Sequence, residues 1–408
     1  MDSPAMKSHY DYIVVGCGGI GSSAVYWLSK RVGNGVLGLE QFKLGHVNGG
    51  SQDHSRIIRL QYNEAKYTRL TRDTYKAWEA VEQESGVQLV YKVGAIQFAK
   101  KSVMGATIDA YAEAMDANQI PYERWSGTEL RRRFPQFTVG DETVCLWQKD
   151  GGLVDASMAN AVQIQLARAN GADILDNCPV IRIDRDDHGR TVVHTPKGMF
   201  SCKRVVVAAG AWINHVLGSV GVHIPVVVTQ EQVTYFATPH VKEFTKAKFP
   251  VWIYNSPKHD LYGLPIHGIS GSKIGIDAGG NQVTPETRNF TPDPEREKAC
   301  IHFLKSIIPR SLGPILESKT CLYTMTLDRS YVIDTLESRG WPEIVFCCGA
   351  GHAFKFACLL GKILSELAID GQTKYDVMAF TMNRPAITDP TFKPQLQMVV
   401  QNDFTSKL

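Results

Sequence analysis

A short apolar run that leads into a glycine-rich loop constrains the fold of this chain more than any other feature. Residues 11–15 predict a buried strand, and the glycine-rich residues 16–21 follow it directly. Residues 22–31 then predict a helix, and residues 36–39 predict a second strand that ends at Glu40. This order, with an acidic residue about 20 positions after the loop, is the fingerprint of a dinucleotide-binding βαβ unit.

Each part of the fingerprint has a physical reason. Gly16 permits the tight turn, Gly18 lets the backbone approach a pyrophosphate, and Gly21 lets the helix pack against the strand. The helix start offers free N–H groups to phosphates, and Glu40 can accept hydrogen bonds from both ribose hydroxyls, which disfavours NADP. The pattern leaves FAD and NAD open as ligands of the predicted loop residues Gly16, Gly18, Gly19, Ile20 and Gly21.

The composition excludes several classes of protein. The chain has 408 residues, a formal net charge of +3 and 44% hydrophobic residues, so we expect a folded protein of two or three domains, or one large mixed fold. No apolar run reaches the length of about 20 residues that a membrane helix needs, and so small a charge does not indicate a nucleic-acid partner. The nine cysteines are irregularly spaced, which argues against a disulfide framework and a zinc ribbon, and we expect no metal site.

The remaining patterns predict a second layer of structure inserted into the first. Helices are expected over residues 67–85, 158–169 and 353–369, and strands over residues 174–175, 179–181, 204–210, 232–236 and 344–346. The fold class is therefore α/β (mixed α+β), with a discontinuous Rossmann-type cofactor domain and an inserted antiparallel-sheet substrate domain. The cofactor domain takes residues 1–90, 145–225 and 320–385, the substrate domain takes residues 91–144 and 226–319, and a tail takes residues 386–408.

The last three residues, Ser406, Lys407 and Leu408, match a peroxisomal targeting signal. A carboxyl-terminal S-K-L is recognised by the peroxisomal import receptor and does not anchor a protein to a membrane. We therefore expect that receptor as a partner and the peroxisome as the location. Peroxisomes contain oxidases that release hydrogen peroxide, which favours an oxidase.

Three separated motifs carry a family resemblance. They are G-G-S-Q-D-H-S-R-I-I-R at residues 49–59, C-L-Y-T-M-T-L-D at residues 321–328 and G-A-G-H-A-F-K-F at residues 349–356. Together with the dinucleotide fingerprint, they resemble the monomeric sarcosine oxidase family of flavin amine oxidases over nearly the whole chain. With the S-K-L ending, the chain is most similar to the peroxisomal members of that family.

The resemblance implies a cofactor and a reaction. The cofactor is FAD, joined through its 8α-methyl group to a cysteine at the position of Cys321. The family oxidises the C–N bond of a secondary amino acid such as sarcosine, L-pipecolate or L-proline. Hydride transfer to flavin N5 gives an imine, and reoxidation by O2 gives H2O2. A monomer with a small-molecule substrate and no membrane partner is expected.

The resemblance also assigns roles to individual residues. Arg59 and Lys355 match the pair that binds the substrate carboxylate, and Tyr262, Tyr323 and Ile253 match the walls of the substrate cavity. The expected catalytic residues are Lys273, which stands near flavin N5 to activate oxygen, with Arg56, Tyr323 and Asp277. Beyond the loop, the expected FAD contacts are Glu40, Gln41, Ser51, Arg56, Val180, Ala209, Gly210, Trp212, Cys321, Gly351, His352 and Lys355.

One departure from the family pattern affects the substrate. Asp277 stands where the family usually has a histidine, and a carboxylate there would attract a protonated amine. We therefore hypothesise a cyclic or bulkier secondary amino acid rather than sarcosine itself. Alternatives that stay open are a fructosyl amino acid (deglycating) oxidase on the same scaffold, an NAD-dependent dehydrogenase, and a flavoprotein without enzymatic activity.

Overall fold

The computed structural model describes residues 7–394 of the chain. Its strands are β1 His9–Val15, β2 Val36–Leu39, β3 Arg56–Ile58, β4 Val90–Lys92, β5 Ala95–Lys100, β6 Glu123–Ser126, β7 Thr143–Gln148, β8 Gly152–Val154, β9 Asp173–Leu175, β10 Arg182–Arg185, β11 Thr191–Thr195, β12 Gly198–Val207, β13 Val226–Phe236, β14 Val251–Tyr254, β15 Asp260–Leu264, β16 Ser272–Asp277, β17 Asn281–Gln282, β18 Ile315–Thr326, β19 Val332–Leu336 and β20 Trp341–Cys348. Its α-helices are α1 Gly19–Val32, α2 Ala65–Ser85, α3 Lys101–Ala117, α4 Gly127–Arg133, α5 Ala156–Ala169, α6 Ile213–Leu217, α7 Pro294–Ile307, α8 Ala357–Asp370 and α9 Pro385–Thr388.

The first sheet is built on five parallel strands in the order β9, β2, β1, β12 and β20. Strands β10 and β11 extend it beside β12, and β19 pairs antiparallel with β20. In β1, Val14 packs into the core that contains α1, whereas Ile13 and Val15 pack into a core on the other face. Burial on both faces explains the continuous apolar run of β1. The predicted order of strand, helix and strand at the start of the chain is confirmed.

A second, nine-stranded sheet holds the inserted layer. Its order is β17, β13, β16, β15, β14, β5, β7 and β6, with β18 also paired to β13. All pairs are antiparallel except β5 with β14. The predicted boundaries at 144/145 and 319/320 cut through β7 and β18, and both strands pair over their whole length within this sheet. The sheet therefore takes residues 143–148 and 315–326, which corrects those two boundaries.

Two predicted elements differ from the structure for local reasons. No strand forms over residues 179–181, and β10 begins at Arg182. Pro179 has no N–H group to donate to a neighbouring strand, which accounts for the difference. The strand expected over residues 204–210 ends at Val207, and a 3-10 turn, Gly210–Trp212, follows. This early end places Ala208 and Ala209 in the loop that faces the glycine-rich turn.

The cysteines between residues 7 and 394 form no disulfide bonds. Eight of the nine cysteines are buried, all nine are free thiols, and Cys321 is partly exposed. Within that range, no helix is long and apolar enough to cross a membrane, and no group of three metal-binding side chains comes together. The tail residues Ser406, Lys407 and Leu408 lie outside the described residues.

Candidate active site

The turn from β1 into α1 leaves no room for a side chain at Gly16 or at Gly21. Gly16 has a φ of +89°, and a Cβ atom there would lie 2.6 Å from the carbonyl oxygen of Ala208. A Cβ on Gly21 would lie 1.7 Å from the carbonyl oxygen of Gly16. Helix α1 begins directly after the loop, and its N-cap, Gly18, has no side chain to cap the helix. The first turn can therefore present N–H groups to a phosphate.

Glu40 is fixed beside this loop at the end of β2. One carboxylate oxygen accepts from the backbone N–H of Cys17 at 2.9 Å, and the other accepts from the backbone N–H of Phe42 at 3.1 Å. The imidazole of His46 lies 3.2 Å from that second oxygen. A buried acid held in this way next to a glycine turn fits the ribose end of a dinucleotide. The residues present therefore suit FAD.

One cavity of about 1160 Å³ extends from the glycine loop into the region between the two large sheets. It is large enough for a dinucleotide and a small substrate. Every predicted site residue lines it except Gly21 and Cys321. The predicted residues that line it are Gly16, Gly18, Gly19, Ile20, Glu40, Gln41, Ser51, Arg56, Arg59, Val180, Ala209, Gly210, Trp212, Ile253, Tyr262, Lys273, Asp277, Tyr323, Gly351, His352 and Lys355.

Cys321 lies next to the cavity rather than on its wall. It stands on β18 opposite Glu231 of β13, and the two residues that follow it, Leu322 and Tyr323, line the cavity. Burial raises the pKa of the Cys321 thiol, and the nearby Arg56 guanidinium opposes that rise. Arg56 and, to a smaller extent, Lys273 therefore favour the thiolate, which is the nucleophilic form of a cysteine.

Lys273 is held in a buried ionic cluster that sequence reasoning missed. Its ammonium group forms an ion pair with Asp53 and donates to the carbonyl oxygen of Ser55 at 2.8 Å. Asp53 also accepts from Arg56 at 3.1 Å and from the hydroxyl of Tyr235 at 2.8 Å. Asp53 lies inside the first family motif, three residues before Arg56. That position was the only feature of the sequence that indicated a role for Asp53 in the site.

The cluster carries more positive than negative charge. Burial lowers the pKa of Lys273 to about 8, and Asp53 opposes this fall. Although burial works against its ionisation, Lys273 and Arg56 hold the pKa of Asp53 below its usual range. Lys319 lies 3.8 Å from the same carboxylate, so at neutral pH one carboxylate faces three cations, and the wall of the cavity at Lys273 is positive.

Arg59 and Lys355 bring two further cations to the cavity. Arg59 donates to the side-chain oxygen of Gln97 at 2.5 Å, and its guanidinium lies 4.9 Å from the ring centre of Tyr62. Lys355 donates to the carbonyl oxygen of His352 at 3.1 Å. Neither side chain forms an ion pair with any residue between 7 and 394, unlike Arg56 and Lys273. Two partly buried cations without a carboxylate partner in the described range predict an anionic ligand.

The aromatic walls of the site depend on two glycines. A Cβ on Gly275 would lie 2.7 Å from the ring of Tyr262, and one on Gly351 would lie 2.5 Å from the ring of Tyr323. Ile253 pairs with Tyr262 across β14 and β15. Burial raises the pKa of both phenols, so both remain neutral hydrogen-bond donors.

His352 packs among aromatic rings and stays neutral. Its ring packs 5.3 Å from that of Tyr67, and its two nitrogens lie 3.3 Å from the hydroxyl of Tyr331 and 3.1 Å from the carbonyl oxygen of Arg329. Burial, with the charges of Lys355 and Arg329, lowers the pKa of His352 to about 3. The imidazole therefore shapes the loop that precedes Lys355.

Asp277 lines the cavity but is already paired. The guanidinium of Arg329 lies 3.2 Å and 3.3 Å from its two carboxylate oxygens. Burial opposes ionisation, yet Arg329 holds the pKa of Asp277 below its usual value. The attraction that the sequence predicted between Asp277 and a protonated amine must therefore compete with Arg329, which sequence reasoning did not identify.

The chain resembles known oxidases over nearly its whole length. The family model described as FAD dependent oxidoreductase matches residues 11–367. Monomeric sarcosine oxidase of Arthrobacter sp. is 30% identical over 388 residues, covering 94% of this chain and 98% of that protein. Peroxisomal sarcosine oxidase of Homo sapiens is 30% identical over 390 residues, covering 93% and 97%. N-methyl-L-tryptophan oxidase of Salmonella arizonae is 28% identical, covering 92% and 99%.

The fold agrees with a solved structure of the same kind. The amino acid oxidase NikD, in its open form, superposes with a TM-score of 0.80 at 26% identity, covering 92% of this chain and 98% of that one. These matches select FAD over the nicotinamide cofactor that the glycine loop alone left open. The chain therefore belongs to the FAD dependent oxidoreductase family and, within it, to the monomeric sarcosine oxidase group of amine and amino-acid oxidases.

Proposed function

We propose that this protein oxidises the C–N bond of secondary amino acids, with dioxygen as the final electron acceptor. The observation that carries the proposal is the pair Arg59 and Lys355, two partly buried cations that line the cavity without a carboxylate partner in the described range. An arginine fork suits a planar carboxylate, and a lysine adds a point charge. The α-carboxylate of an amino acid fits both.

The residues of the chain bind the substrate and exclude water from the reacting bond. Arg59 and Lys355 fix the carboxylate and hence the α-carbon, while Ile253, Tyr262 and Tyr323 exclude water beside the C–N bond. When bound, FAD supplies the acceptor for the two electrons of the C–N bond. The substrate loses two electrons and two protons to become an imine, dioxygen takes them up as hydrogen peroxide, and water hydrolyses the imine.

We assign Lys273 the role of a fixed cation for oxygen. A preorganised positive charge stabilises the negative charge that develops as oxygen accepts the first electron. Asp53 and the carbonyl oxygen of Ser55 hold the Lys273 ammonium group in place. Burial lowers the pKa of Lys273 to about 8, so the charge is present at neutral pH.

A substrate panel tests this function. Hydrogen peroxide release is measured with sarcosine, L-pipecolate and L-proline, and with glycine as the matched primary amine. We expect one peroxide per secondary amine oxidised, with L-pipecolate or L-proline exceeding sarcosine in kcat/KM. A wide margin in favour of sarcosine would reject the cyclic or bulkier substrate. The absence of peroxide with every secondary amine, from FAD-loaded protein, would reject the function.

Carboxylate binding should weaken as pH rises through neutrality. Burial and the charge of Arg59 lower the pKa of Lys355 to about 7, so this cation is present below pH 7 and lost above it. The Kd of methoxyacetate, a carboxylate without an amine, should therefore rise between pH 6.5 and pH 8.5 in a titration followed by the flavin spectrum. In Lys355→Met the rise should disappear. An identical rise in the variant would assign the titration to another group.

We propose that FAD is attached covalently to Cys321. The thiol is partly exposed beside the cavity, and Arg56 favours its ionised form. After acid precipitation, the wild-type pellet should be yellow, and the Cys321→Ser pellet should be colourless with the flavin in the supernatant. Cys348→Ser, which alters a buried thiol of another strand, is the matched control and should keep a yellow pellet. A yellow Cys321→Ser pellet would exclude this attachment.

We also propose that the protein is a monomer that enters the peroxisome through Ser406, Lys407 and Leu408. The sequence ending supports the location, and the names of the monomeric relatives support the oligomeric state. Deletion of the three residues should leave oxidase activity unchanged and move the protein to the cytosol. Continued import of the truncated chain would contradict the proposal.

A further inference from the structure

One carboxylate of the cavity wall has no cationic partner in the described part of the chain. Five acidic side chains line the cavity, and four of them are paired: Glu40 with His46, Glu64 with Lys66, Asp277 with Arg329 and Asp328 with Arg384. The fifth, Asp260, forms no ion pair with any residue between 7 and 394. It accepts only neutral hydrogen bonds, from the side-chain amide of Asn255 at 2.7 Å and the backbone N–H of Ser256 at 3.2 Å.

Asp260 is tied to the carboxylate-binding site by a chain of hydrogen bonds. Asn255 donates to Asp260 at 2.7 Å, Gln97 donates to Asn255 at 2.6 Å, and Arg59 donates to Gln97 at 2.5 Å. A carboxylate can only accept, so it fixes the orientation of both amides and leaves an oxygen of Gln97 for Arg59. The cavity therefore presents a positive group and a negative group in a fixed relation to each other.

The charge of Asp260 is poorly compensated. The residue lies directly opposite Asp277 across β15 and β16. Burial, together with the negative charge of Asp277, raises the pKa of Asp260 to about 6, although the charge of Arg59 opposes that rise. The carboxylate is thus ionised at neutral pH and, among the described residues, lacks the basic side-chain partner that each of the other four acids of the wall has. A ligand that carries a cation would supply it.

We propose that Asp260 binds a second, cationic group of the substrate, so that the preferred substrates are N-alkylated basic amino acids. The α-carboxylate occupies Arg59 and Lys355, and an amine or guanidinium at the end of the side chain reaches Asp260. Met104, Thr107 and Tyr111 of α3 line the same cavity and are available to the aliphatic part of such a side chain. This inference rests on the proposed oxidation of secondary amino acids and specifies which of them the site selects.

Two substrates of equal length separate the binding of a side-chain cation by Asp260 from the binding of the α-carboxylate and the oxidation of the amine. Nα-methyl-L-lysine carries a terminal cation, and Nα-methyl-L-norleucine replaces it with a methyl group. The ratio of their kcat/KM values is measured in the wild type, in Asp260→Asn and in the control Glu64→Gln. Glu64 also lines the cavity but is paired with Lys66 at 2.7 Å. Both substrates carry the same α-carboxylate and the same reacting amine, so an effect of a substitution on the binding or oxidation of these groups cancels in the ratio.

The wild type should favour the lysine derivative by about tenfold or more, and Asp260→Asn should remove most of that preference. Glu64→Gln should leave the ratio unchanged. A wild-type preference for the norleucine derivative would overturn the inference while leaving the oxidase function intact, and so would an Asp260→Asn variant that loses both activities in equal proportion. If FAD-loaded wild type oxidises neither substrate nor sarcosine, the proposed function itself fails. If Asp260→Asn does not fold, the ratio of the two kcat/KM values in the wild type still tests the inference, because a preference for the norleucine derivative would overturn it.

Discussion

Replacement of Asp53 by asparagine should lower the free energy of unfolding by about 3–5 kcal/mol. Asp53 is 6% exposed and is the carboxylate shared by Lys273 and Arg56. The change leaves the Lys273 ammonium group, 3% exposed, without a counter-ion. An uncompensated buried charge costs far more than the net value of the pair that held it. The measurement is urea unfolding of the FAD-loaded proteins.

The matched control for Asp53→Asn is Asp370→Asn. Asp370 forms an ion pair of 2.6 Å with Arg31, but both side chains are more than 40% exposed to solvent. Loss of an exposed pair should cost less than about 1 kcal/mol. Equal losses in the two variants would show that the Asp53 cluster contributes no more than a surface ion pair. The same variant should also lower the pKa of Lys273 below about 8, because Asp53 opposes the effect of burial.

Replacement of Arg59 by alanine should weaken carboxylate binding by about 2–5 kcal/mol, which is roughly 30-fold to 4000-fold in Kd. The expected loss is large because Arg59 is partly buried in the wall of the cavity, and removal of the fork leaves the substrate carboxylate with Lys355 alone. The Kd of methoxyacetate at pH 6.5, where Lys355 is protonated, measures the effect without interference from the reacting amine.

Arg168→Ala is the control for the Arg59 variant. Arg168 also lines the cavity, but it is exposed and belongs to the last turn of α5. Its removal should change the Kd of methoxyacetate by no more than about twofold. An Arg59→Ala variant that behaves like this control would dismiss the carboxylate site, and with it the assignment of Lys355 to the same anion.

The local parts of the fold could be predicted because each is determined by neighbouring residues. The unit β1, α1 and β2 follows from one apolar run, one glycine loop and one acid, all within residues 9–40. The motif around Cys321 indicated a cysteine close to the cofactor only through its family resemblance. The strand expected at residues 179–181 was wrong. The prediction followed the apolar pattern, but Pro179 has no N–H group to donate to a neighbouring strand.

The charge balance of the site could not be predicted, because its partners are distant in sequence. Asp53 and Lys273 are 220 residues apart and meet only when the first motif lies against β16. Asp277 and Arg329 meet in the same way, on β16 and in the loop after β18. A sequence pattern gives each residue type, but burial and pairing decide whether its charge is available to a ligand. Lys355 and Asp260 remain available, whereas Asp277 does not.

The most direct test of the central claim is anaerobic bleaching of the bound flavin by a secondary amino acid and by its matched carboxamide. The account predicts that L-pipecolate bleaches the visible absorption, that L-pipecolamide does so far less efficiently because it offers Arg59 and Lys355 no anion, and that admission of air restores the spectrum with one hydrogen peroxide per flavin. Equal bleaching by acid and amide, or none by any secondary amino acid when FAD is bound, would contradict it.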